Sequence, residues 1–145
     1  MLQRKDGERL VESWVKAVES GTPGAFETLV THDVLDISGV TQPPGPEASA
    51  RRPSGAEPFE ARARALHAAF TGVSVTVDDL VVDGEVLAWR FTLRGEQRGP
   101  FLGVEATGRH VAIQGVNFQR IENGRVREHW TLVDRFEWLR QLRGA

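Results

Sequence analysis

Two side chains stand where a proton could be moved or a carbonyl polarised. Asp36 follows Val34 and Leu35 and precedes Ile37, neighbours that a solvated loop carboxylate would not need. Facing a pocket, it would lose hydration, its pKa would rise and it could work as a general base. At a strand end it would instead be exposed and bonded to nearby amides. His129 is the second. On its strand Arg127, His129, Thr131 and Val133 share one face, and Glu128, Trp130, Leu132 and Asp134 the other. An imidazole there could donate to a carbonyl or act as a base near neutrality, or be a satisfied structural histidine.

Gln114 and His129 both interrupt otherwise apolar alternation, the pattern of a curved sheet with one face turned toward a small, largely apolar ligand. If the hairpin at Asn123-Gly124 has no bulge, Gln114 lies opposite Val133 and Asn117 points outward. A bulge at Gly115 would break that register, so both amides are candidates, Gln114 ahead of Asn117. A buried amide costs free energy unless a neighbour or ligand bonds it. Trp14, Trp89 and Phe101 offer broad apolar surface, as pocket wall or plain core. Trp130 and Trp138 are expected in a dimer contact or in packing. His32, His67 and His110 are too scattered for a metal site, and no metal-ligand spacing is present. Phosphate-cradling Gly-rich loops and the nucleophile-elbow pattern are also absent.

The elements that position these residues follow from periodicity. Leu10, Val11, Trp14, Val15 and Val18 form a helical stripe ending at Gly21, a suitable cap. Thr22-Pro23 restarts a short helix carrying Phe26 and Leu29. A brief strand spans Val34 to Ile37. From Ser38 to Gly55 the run Gln42-Pro43-Pro44-Gly45-Pro46 and its surroundings hold no period, the composition of a lid or a disordered insert. Arg51-Arg52 at its end could meet an anionic group or be solvated surface. A third helix carries Phe59, Ala63, Leu66 and Phe70, with Ser54 and Glu57 at capping-box spacing. The period then becomes two: Val73, Val75 and Val77, a turn at Asp83-Gly84, then Leu87, Trp89, Phe91 and Leu93. After a loop from Gly95 to Gly108, two strands joined at Asn123-Gly124 lead to a closing helix with Phe136, Leu139 and Leu142. Helices followed by a strand meander indicate α+β architecture.

The chain has 145 residues, 40% hydrophobic and 26% charged, which suits one domain over 1–145 burying roughly 68–70% of its unfolded surface. A net charge of −2 argues against a phosphate-binding basic face, hence against nucleic acid as a partner. With no cysteine there is no disulfide, thiolate nucleophile or Cys-based zinc site. Met1 to Gly21 reads as an amphipathic helix rather than a signal segment, and no run has transmembrane length, so a cytoplasmic location with no membrane partner is expected.

The segment Gly99-Pro100-Phe101-Leu102-Gly103-Val104-Glu105-Ala106-Thr107-Gly108-Arg109 and the segment Arg120-Ile121-Glu122-Asn123-Gly124-Arg125-Val126-Arg127-Glu128-His129-Trp130 resemble the SnoaL-like polyketide cyclases. The tail from Asp134 to Gly144, with Leu139-Arg140-Gln141-Leu142, is similar to that family's closing helix. Leu35-Asp36-Ile37-Ser38-Gly39 falls where relatives place an acidic or polar pocket residue. The family belongs to the nuclear transport factor two superfamily, with ketosteroid isomerase and limonene epoxide hydrolase.

The resemblance implies a cone-shaped barrel, a strongly curved antiparallel sheet packed on three N-terminal helices, usually dimeric and needing no metal or organic cofactor. Aldol-type cyclases of the family place a general acid/base aspartate two residues after His129. That position is Thr131 here, so the His129 face is expected to be interior, with Thr131 in the binding surface. A hydroxyl cannot shuttle protons as a carboxylate does. The implied reaction is ring closure of a polyketide-derived, apolar intermediate, with pericyclic [4+2] addition fitting Thr131 best. Alternatives are an acid/base isomerase or oxygen-nucleophile cyclase using Asp36, and a non-catalytic module binding a hydrophobic ligand or a protein. An epoxide hydrolase is a weaker reading, since its Asp–Arg–Asp set needs a carboxylate at 131.

Overall fold

In the computed structural model, residues 1–37 and 55–144 are described. The first helix, α1 (Arg4–Ser20), buries Gly7, Leu10, Val11, Trp14 and Ala17, one stripe at three- and four-residue spacing. Gly21, at φ 60°, ends it, its amide donating to the Ala17 carbonyl.

The helix expected at Thr22-Pro23 is instead a run of tight turns. The amides of Ala25, Glu27 and Leu29 donate to carbonyls three residues back. Gly24 at φ 82° is incompatible with a continuing helix, which explains the difference. Phe26 is nevertheless driven into the core. The lid expected at 38–55 lies, except for Gly55, outside the described residues, as do Arg51-Arg52 and the capping residue Ser54.

Strand β1 (Val30–Asp36) precedes α2 (Glu57–Ala69), which is followed by β2 (Phe70–Asp83), β3 (Val86–Gln97), β4 (His110–Glu122), β5 (Arg125–Val133) and α3 (Arg135–Arg143). The strands form one open sheet in the order β1-β5-β4-β3-β2. The sheet is mixed, because β1 runs parallel to β5. The third helix is C-terminal rather than N-terminal: among the described residues, α1, α2 and α3 make up the helical complement of the cone.

Curvature has identifiable causes. Strand β2 carries two register shifts against β3, between Thr71 and Ser74 and between Val77 and Asp79. Each inserts a residue and bends the ribbon. The expected β3 face is buried as read: Leu87, Trp89, Phe91 and Leu93. Asn123 and Gly124, at φ 50° and 77°, form the two-residue connection of β4 and β5 that requires positive φ at both positions.

Asp134 caps α3 by accepting from the Glu137 amide at 3.0 Å. Trp138 and Leu142 provide the buried stripe of this helix. Phe136, expected on that stripe, is 81% exposed, because the inward direction is set by the i, i+4 pair Trp138/Leu142. Trp138 packs in the core against Phe70 and Phe101, at ring-centre distances of 5.9 and 4.7 Å.

Candidate functional site

The concave face of β4 and β5 is set by a register shift that falls at Arg127 rather than at Gly115. Ile121 pairs with Val126 and Arg120 with Glu128, so Arg127 is the extra residue. Strand β4 runs regularly through Gly115, which serves a different purpose. A Cβ there would lie 2.5 Å from the Phe91 ring and 2.9 Å from a Val133 methyl, so glycine lets both approach the strand.

The consequence is an exchange of the two amides. Gln114 is exposed on the convex face, contrary to the preferred register, while Asn117 is buried opposite Thr131. Gln119, not singled out in the sequence, is buried opposite His129. The regular spacing Ile113, Gly115, Asn117, Gln119, Ile121 was the signal that all five share one face.

His129 is 3% exposed. Its ring stacks on Trp14 (centres 5.0 Å apart, 20° between planes) and meets Phe59 edge-on at 5.2 Å. Phe26 closes the box against Trp14 and Phe59. On the sheet side, the Trp89 indole N–H donates to Gln119 Oε1 at 3.0 Å, and Gln119 Nε2 lies 3.0 Å from His129 Nδ1. Burial, then the nearby Arg62 guanidinium, push the His129 pKa down to about 3, while Asp36 acts in the opposite direction. The imidazole is therefore neutral at physiological pH.

Asp36 is the cross-strand partner of His129, and the Ile37 amide donates to the His129 carbonyl at 2.8 Å. Its carboxylate accepts from Arg62 Nη1 and Nη2 at 3.0 and 2.6 Å, with the two side chains 14% and 44% exposed. Arg62 also stands 5.1 Å from the Phe59 ring centre, over its face. Asp36 is thus neither a solvated strand end nor an isolated carboxylate in an apolar pocket. Helix α2 is held in place to make this pair by Glu60, whose buried carboxylate accepts from the Gly24 and Phe26 amides at 3.2 and 3.0 Å. Thr131 is half-buried, and its hydroxyl lies 3.4 Å from the Val116 carbonyl.

The structure therefore brings together Trp14, Asp36, Trp89 and His129 with Asn117 and Thr131 beside them, and adds Phe26, Phe59, Arg62 and Gln119. It separates Phe101, which sits half-buried in the second aromatic cluster with Phe70 and Trp138. Neither of two surface clefts touches this centre. One, about 760 Å³, lies between the start of α1 and the β4–β5 turn, lined by Leu2, Asp6, Arg9, Glu85, Ile121 and Asn123 among others. The other, about 470 Å³, lies beside the end of α3. The described residues hold no cluster of three metal-ligating side chains, and His67 is engaged with the Val18 carbonyl at 2.8 Å. No described helix is long and apolar enough to cross a membrane.

Comparison with known proteins agrees with this architecture. The family model for SnoaL-like polyketide cyclases matches residues 8–142. TsrD from Streptomyces laurentii superposes with a TM-score of 0.80 at 30% identity, covering 98% of each chain. IdmH from Streptomyces antibioticus, a candidate polyketide cyclase, gives 0.76 at 28% identity over 96% of this chain and 99% of its own. AclR from Streptomyces galilaeus, a candidate hydroxylase, gives 0.79 at 19% identity over 99% and 84%, a likeness of fold alone. No curated protein matches the chain significantly. With the helices, the open curved sheet and a family match spanning nearly its whole length, the chain belongs to the SnoaL-like polyketide cyclases.

Proposed function

We propose that the protein, as one domain over 1–145, is a cofactor-independent cyclase of natural-product biosynthesis that folds a polyketide-derived, largely apolar intermediate for ring closure. The observation that carries this reading is a neutral, buried His129 across the strands from an Asp36 already committed to Arg62. Neither is arranged as a free proton shuttle, and Thr131 supplies no carboxylate. The contributions left to such an enzyme are confinement of the substrate and polarisation of its carbonyl. Orienting a flexible chain can supply about 7–11 kcal/mol of a barrier in favourable cases. Closures that need no external proton transfer, such as a [4+2] addition, suit this set best.

A cytoplasmic homodimer fits the same reading. The convex face of β4 and β5 exposes Phe118 and Leu132, at 46% and 45%, with Trp130 opposite Phe118. Such a face suits a second copy of the chain. Phe118→Asp should give a monomer by light scattering, and an unchanged mass would remove this surface from the proposal.

The runner-up is a non-catalytic carrier or protein-binding module. It is favoured by the internal pairing of both Asp36 and His129, and by the absence of either cleft from their surroundings. Native mass spectrometry of the protein exposed to extract of its producing cells separates the readings. A retained polyketide that is released as an isomer supports the cyclase. A ligand released unchanged, or a protein partner alone, supports the module.

A further inference from the structure

The hydrogen-bond chain behind His129 has a direction, and the direction decides which ring nitrogen carries the proton. An indole N–H can only donate, so Trp89 requires the oxygen of the Gln119 amide on its side. The Gln119 NH₂ group is thereby turned to His129, and an amide nitrogen can also only donate. Nδ1 must then be the acceptor, with its lone pair toward Gln119, and the proton must sit on Nε2. The opposite amide orientation would set the indole N–H against NH₂ and leave a buried donor unpaired. Trp89, Gln119 and His129 are all buried, so water cannot relieve such a mismatch. Stacking on Trp14 and the edge contact with Phe59 keep the ring from turning over.

We propose that Trp89 and Gln119 are positioning residues that fix His129 as a neutral hydrogen-bond donor, presenting Nε2–H to an acceptor oxygen such as a substrate carbonyl. The relay itself stands on geometry; only the identity of the acceptor rests on the cyclase reading above. In this tautomer the Nε2 lone pair is delocalised in the ring, so His129 is not a base at that atom. An imidazolium would place Nδ1–H against the Gln119 NH₂, so the relay opposes protonation as well. The charged neighbours are Asp36 and Arg62, which are paired with each other, and Glu60 on α2, which is engaged with backbone amides. A conjugated ketone, ester or amide that accepts one hydrogen bond is the substrate class that matches. Withdrawal of electron density through that bond would lower the barrier to closure with no net proton transfer.

The test is the ¹⁵N spectrum of the full-length protein labelled at histidine, with His129 assigned by loss of its signals in His129→Gln. The expected result is a protonated, pyrrole-type Nε2 and an unprotonated, pyridine-type Nδ1, unchanged from about pH 8 to about pH 5. A protonated Nδ1, or an imidazolium within that range, overturns the proposal. Gln119→Glu keeps the shape and the Trp89 bond but offers Nδ1 an acceptor, so it should move the proton to Nδ1. A folded variant with the wild-type pattern would also overturn it. Nε2–H in a protein with no ring-forming activity keeps the relay and removes the cyclase reading; Nδ1–H in an active cyclase does the reverse.

Discussion

Among the described residues, the aromatic clusters around His129 and around Trp138 are built on different rules. Around His129, the rings of Trp14, Phe26 and Phe59 enclose polar groups that are hydrogen-bonded in series. Around Trp138, the rings of Phe70 and Phe101 pack beside the buried Gln97, whose amide ties the carbonyls of Gly99 and Val104, but the Trp138 indole N–H itself is buried with no bonding partner among the described residues. An orphaned donor is tolerated where nothing depends on its direction, whereas the relay specifies direction at each step. Under the proposed function, the first cluster is the site and the second is the seam that fastens α3 to the sheet.

The contrast can be broken most severely at Trp14. Trp14→Ala removes the stacking surface of His129 together with contacts to Phe26 and Phe59, and should cost about 3–5 kcal/mol in urea unfolding. Next comes acid. The His129 pKa is depressed when folded, to about 3 against an ordinary 6.5, so the unfolded chain binds the extra proton between those values. Stability contributed by the neutral ring is present above about pH 6.5 and is lost as pH falls toward 3, by up to about 1.4 kcal/mol per pH unit. His129→Gln should therefore flatten the slope in denaturation series at several pH values. An unchanged slope would assign the acid sensitivity elsewhere.

A matched pair of tryptophan substitutions gives smaller effects. Trp89→Phe leaves the Gln119 oxygen without its donor and should cost about 1–3 kcal/mol beyond the lost volume. Trp138→Phe loses an N–H with no partner among the described residues, so only the volume change should register. Equal costs in thermal unfolding would show that the two clusters do not differ as described.

Much of the fold was legible because its signals are local. The β3 alternation from Leu87 to Leu93 and the Asn123-Gly124 turn are each encoded within a few residues. The bulge at Arg127 was not, since Val126-Arg127-Glu128-His129 contains neither glycine nor proline to announce it. A one-residue shift exchanges the faces of a strand, which is why Gln114 is outside and Asn117 and Gln119 are inside. Gly115, a candidate bulge by residue type, instead makes room for Phe91 and Val133. Nothing local marks Arg62, because its partner Asp36 lies 26 positions earlier in the chain. The failed helix at Thr22 had a local cause, Gly24, outweighed in the reading by the Thr-Pro start signal.

Under the proposed function, ring closure needs a shaped, polarising site and no carboxylate proton shuttle. Turnover of Asp36→Asn with the ligand captured from producing cells tests it most directly. A kcat within about tenfold of wild type is expected; a loss of about 10²–10⁴-fold in a variant that still folds and binds would identify Asp36 as a general acid/base and contradict the account.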